Sequence, residues 1–83
     1  MTKRQKALER LLAKPQDFEW NELRSLMESL GYQLQTSGGS GRKFVNPETR
    51  GTLFIHEPHP AKVLKLYQVK DAIDFLRQEN KIP

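Results

Sequence analysis

Three strand-length runs, joined by turns too short for a crossover, constrain the fold of this chain more than any other feature. Tyr32-Gln33-Leu34-Gln35-Thr36 alternates apolar and polar residues, as a half-buried strand does. Ser37 to Gly41 holds three glycines in five residues, too much backbone entropy for regular structure. Arg42 to Asn46 reads as a second strand, and Asn46-Pro47-Glu48-Thr49-Arg50-Gly51 as a turn with proline and glycine in suitable places. Thr52 to His56 is the third and most hydrophobic strand, stopped by Pro58 and Pro60. Parallel neighbours need a connection of about a dozen residues or more, so these short turns predict an antiparallel meander.

Helical stripes flank the meander. Trp20, Leu23, Leu26, Met27 and Leu30 recur every three or four residues, with Gly31 placed as the C-terminal cap. Leu66, Val69, Ile73 and Leu76 mark a last amphipathic helix, with Asp71 and Asp74 on its outer face and Asn80 as a left-handed cap. An earlier stripe of Ala7, Leu8, Leu11 and Leu12 ends at Pro15. A helix of about 13 residues is marginal alone, so this one must dock or fray. Residues 15–19 read as a linker, and Phe18, Trp20 and Phe75 as packing or partner contacts. Strand phase alone leaves the face of Phe44 open. The order helix, helix, strand, strand, strand, helix predicts an α+β two-layer sandwich. It divides into an N-terminal helical extension, residues 1–18, and a domain of residues 19–83.

Charge is concentrated in the middle of the chain. Residues 37–70 carry six Lys/Arg against two acids, while the flanks cancel to leave the whole chain at +4. A localised basic stretch is the footprint expected for a phosphate-bearing partner. At 83 residues the chain forms one small domain with a thin core. The absence of cysteine excludes disulfides and thiolate metal sites. With no apolar run of membrane-spanning length and no signal core after the basic N-terminus, a cytoplasmic protein with no membrane role is expected.

Within the basic stretch, Arg42 and Lys43 follow the glycine turn directly. Exposed backbone N–H groups and two cations there could cradle a phosphate, and Ser40 could donate to it. The bland alternatives are a charge that blunts an edge strand and a serine that caps the turn. Lys62, Lys65 and Lys70 surround the start of the last helix, either as phosphate contacts or as a solvated rim. His59 sits between two prolines before those lysines, as a candidate proton carrier or as a turn residue bonded to backbone. If the third strand pairs with the second, His56 and His59 face Arg42 and Lys43. His56 shares the Phe54 face and reads as a partly exposed sheet histidine. Tyr67 could stack a base but reads as half-core. Two histidines without a third ligand predict no metal, and nothing implies a small-molecule cofactor.

The Gly-Ser turn opening the second strand, with His59-Pro60 leading into Leu64-Lys65-x-x-Gln68-Val69-Lys70-x-x-Ile73, resembles the HicA toxins over residues 19–83. That resemblance implies a fold like the double-stranded RNA-binding domain. It also implies an endoribonuclease of a type II toxin–antitoxin pair: an mRNA interferase that cleaves mRNA without metal, neutralised by a cognate HicB-type antitoxin. It places His59 at the family's His-Pro position. It also places Gly41 where the family carries its catalytic His, because the usual turn reads Gly-Ser-His and here Gly39-Ser40 is followed by Gly41. Three explanations stay open: a subgroup using other residues, an inactivated form, or a protein that kept binding and lost catalysis. The alternative function is accordingly a non-catalytic RNA-binding or protein-interaction module of the same fold.

Overall fold

The last helical residues and the tight turns set the frame. A computed structural model of the chain describes residues 2–36, 38–39 and 41–82. Its elements are α1 (Lys3–Leu12), α2 (Trp20–Ser29), β1 (Gln33–Thr36), β2 (Gly41–Val45), β3 (Thr52–His56) and α3 (Leu66–Gln78). α1 starts at a capping box, in which the Thr2 hydroxyl accepts from the Gln5 N–H at 3.1 Å and the Gln5 side chain accepts from the Thr2 N–H at 3.2 Å. α2 ends at Gly31, whose φ of 97° allows Tyr32 N–H to reach back to Met27 O at 3.0 Å. α3 ends the same way on Asn80, with φ of 59° and a bond from Lys81 N–H to Leu76 O at 2.9 Å. Both caps fall on the residues the sequence nominates.

The strands form one antiparallel sheet in the order β1-β2-β3. Leu34, Phe44 and Leu53 stand in one cross-strand row, and Ile55 lies on the same side. That face meets the helices. Phe44 is fully buried there, its ring 5.6 Å from that of Trp20. The core also takes Leu23, Leu26 and Met27 from α2, and Val69, Ala72, Ile73 and Leu76 from α3. This is the α+β sandwich anticipated, like the double-stranded RNA-binding domain and with an additional N-terminal helix. α1 docks on α2 and α3, and Leu11 is fully buried. The radius of gyration, 11.9 Å, equals the roughly 12 Å of a packed chain this long, so α1 is not a projecting arm.

Three local expectations change. The second strand begins at Gly41 and ends at Val45, because Asn46 instead anchors the next turn: its side-chain oxygen accepts from Glu48 N–H at 2.8 Å. The 15–19 stretch is no loose linker, since it delivers Phe18 into the core. Leu66 leaves the apolar stripe of α3 and is 53% exposed. It occupies the first helical position, roughly a quarter turn from the centre of the buried stripe. Among the described residues, no helix is long and apolar enough to cross a membrane.

Candidate functional site

The chain between β3 and α3 is held at both ends. Gln68 is buried near the start of α3; its side chain accepts from the Lys65 N–H at 3.0 Å and donates to the carbonyl of His56 at 2.9 Å. One side chain therefore caps the helix and ties it to the end of β3. Further on, Leu64 N–H donates to Phe18 O at 2.8 Å and Trp20 N–H to Lys62 O at 2.9 Å, a short antiparallel bridge through Glu19 and Val63. The loop so anchored contains the His59–Pro60 bond, which is cis. Between loop, strand end and helix start lies an open pocket of ≈ 340 Å³, lined by His56, Glu57, His59, Lys65, Tyr67 and Gln68 among others. Both histidines and Tyr67 are exposed, Tyr67 at 57%. Tyr67 is thus a pocket residue and not half-core, because it falls on the outer side of the first helical turn.

Glu57 organises the charge beside this pocket. Its carboxylate accepts from Arg42 Nε at 3.2 Å and from Lys62 Nζ at 3.1 Å, with only 13% of its side chain exposed. The Lys62 hydrogen bond, helped by the charges of Lys62, Arg42 and His59, holds this carboxyl below the usual glutamate range against the opposing effect of burial. Arg42 is further committed: its Nη1 donates to Gly39 O at 2.8 Å and Gly41 O at 2.9 Å. It braces the glycine turn from within.

Register decides where the other sequence-nominated residues go. Arg42 pairs with Ile55 and Lys43 with Phe54, so the two cations lie on opposite faces of the sheet. This corrects the expectation that both face the histidines. Only Lys43 shares the outer face with His56. Gly41 lies directly across from His56, on that same face. Lys65 reaches the pocket from the N-cap of α3, whereas Lys70 is exposed further along the helix and does not line it. Lys62 spends its ammonium on Glu57. Ser40 lies outside the described residues.

Sequence reasoning gives Gln68 and Glu57 no role in the site, yet both leave signals. A glutamine three residues after a helix N-cap is half of a capping box. Glu57 is one of only two acids in the basic stretch, and the one flanked by its histidines. The assembled group offers two imidazoles, an ammonium for a phosphate oxygen and an exposed aromatic ring.

The model of the family described as HicA toxin of bacterial toxin–antitoxin matches residues 20–78. No match was found among curated protein sequences or solved structures. The family match runs from the first residue of α2 to the last of α3, most of the chain and every element that builds the pocket. The protein therefore belongs to the HicA toxin family, the toxin component of bacterial toxin–antitoxin pairs.

Proposed function

We propose that this toxin is a metal-independent endoribonuclease that cleaves mRNA in the cytoplasm and is neutralised by a HicB-type antitoxin covering the pocket. One observation carries the reading: both histidines, Lys65 and Tyr67 converge on one open pocket at the start of α3. In the proposed reaction the 2′-hydroxyl oxygen attacks the adjacent phosphorus. One imidazole takes the 2′-hydroxyl proton, and a second acid gives a proton to the departing 5′-oxygen. The P–O5′ bond breaks and a 2′,3′-cyclic phosphate remains. His59 is assigned one proton transfer and His56 the other, with Lys65 holding the charge that gathers on the phosphoryl oxygens. A histidine at position 41 would extend from the same face as His56, and so would join the same proton-transfer group.

The test is cleavage of a long single-stranded RNA by the purified chain in EDTA. His59→Ala should slow cleavage by about 10²–10⁴-fold with little change in RNA affinity. Gly41→His should raise it. A second reading, a binding module of this fold, is favoured by Gly41 itself. It prevails if neither the chain nor Gly41→His cuts while salt-dependent RNA binding persists.

A further inference from the structure

The helices cover one face of the sheet and leave the other open. On the open face β1 contributes Gln33 and Gln35, β2 contributes Lys43 and Val45, and β3 contributes Thr52, Phe54 and His56. In its middle Phe54 is 70% exposed, the most exposed large apolar side chain among the described residues. Lys43 stands directly opposite, at a distance where cross-strand side chains touch, and Gln35 lies beyond it on β1. His56, two residues along the same face, lines the pocket that also contains His59 and Tyr67. No strand residue of this face is acidic.

We infer that Phe54 is a base-stacking platform that seats an unpaired nucleotide of single-stranded RNA and leads the strand across His56 into the pocket. This rests on the RNA-cleaving reading above and extends it to the form of the substrate. The chemistry of the face selects the ligand. A phenyl ring contributes nothing to a phosphate but stacks on any exposed base. Duplex RNA offers a protein its 2′-hydroxyls and phosphates and keeps its bases stacked, so an isolated aromatic ring is of use only where bases are splayed out. Lys43 beside the ring can meet the backbone of the same nucleotide, and the two glutamines offer amide donors and acceptors to base edges. A protein partner fits less well, because one exposed ring and a half-buried Val45 among Lys, Gln, Thr and His make no large apolar patch, and lysine is depleted at protein interfaces.

The experiment measures binding of a fluorescein-labelled, 2′-O-methylated RNA of about 12 nucleotides, which the proposed reaction cannot cut. Phe54→Leu, which keeps the apolar bulk and loses the ring face, should weaken binding about 5- to 150-fold. Phe54→Trp should retain binding, and its exposed indole should be quenched by the RNA. Lys43→Ala should lower the salt slope by about one phosphate. Circular dichroism should show every variant folded, since these side chains sit on the open face. Unchanged affinity in Phe54→Leu, with wild-type RNA binding intact, overturns the platform and leaves the nuclease reading standing. Loss of antitoxin binding or self-association in Phe54→Leu, with RNA affinity unchanged, also overturns it and makes this face a protein interface. No RNA binding by the wild-type chain overturns the nuclease reading and the platform together.

Discussion

A single carboxylate governs how much positive charge the site presents. Glu57 holds Lys62 and the Nε of Arg42, two of the cations that the sequence offers to a phosphate. An incoming phosphate must compete with it or do without them. Glu57→Gln removes the competing charge and keeps an acceptor of similar shape. The expected result is tighter RNA binding with a salt dependence steeper by about 0.7 in log–log slope, one further phosphate contact. The thermal midpoint should fall at the same time, because the brace on the glycine turn is weakened. Affinity and stability moving in opposite directions would mark Glu57 as an internal occupant of a phosphate site; a parallel fall in both would reject that role. Alternation along β2 and β3 could have separated Arg42 from Lys43 in the sequence. The pairing of Arg42 with Glu57 could not be read there, because it depends on where the chain goes after Pro58.

At the scale of elements, the anchoring of α3 sets the pocket. The Gln68 side chain bonds both the helix start and the carbonyl of His56. Gln68→Ala removes both bonds and leaves two part-buried backbone groups to water, at a cost of about 0.5–1.5 kcal/mol each. Cleavage should fall with it. Gln68→Glu, which can still accept from Lys65 N–H but cannot donate to His56, should recover more stability than activity; equal recovery of the two would show that the His56 tie is only structural. The elements themselves were legible because their signals are local. Glycine and asparagine caps, a four-residue stripe and short turns each act over a few residues. The loop carrying His59 was not legible, since its fixed course depends on the bridge to residues 18–20, some forty positions earlier. Tyr67 was misread for a related reason: near a helix start, a shift of one residue in the boundary rotates the side chain by more than a quarter turn.

For the molecule as a whole, the two layers of the sandwich are joined at one end by a cluster that responds to pH. The Glu79 carboxylate accepts from the Thr49 hydroxyl at 2.7 Å and the Tyr32 hydroxyl at 2.8 Å, linking the end of α3 to the β2–β3 turn and the start of β1. Those bonds, Thr49 first and then Tyr32, lower the Glu79 carboxyl from its ordinary value of 4.5. Its stabilisation is therefore complete above that value and lost as pH falls through the depressed one. Burial, and then the bond to Glu79, raise the Tyr32 hydroxyl from its ordinary 10.0, so its stabilisation is complete below 10.0 and lost as pH rises further. Glu57 adds to the acid limb in the same sense as Glu79. Thermal midpoints should form a plateau bounded on both sides. Tyr32→Phe should flatten the alkaline limb and soften the acid one, as monitored by circular dichroism across the pH range; an unchanged alkaline limb would remove Tyr32 from this account.

The one-sided covering of the sheet also divides tolerance to mutation by the parity of residue number. On β3 the odd positions, Leu53 and Ile55, are committed to holding the molecule together, while the even ones, Phe54 and His56, are left to face whatever arrives from outside. On β2 the parity reverses, with Arg42 and Phe44 inward and Gly41 and Lys43 outward. A toxin must be restrained without being dismantled, and this alternation lets changes that disarm it accumulate in one comb of positions while the fold an antitoxin must grip is kept by the other.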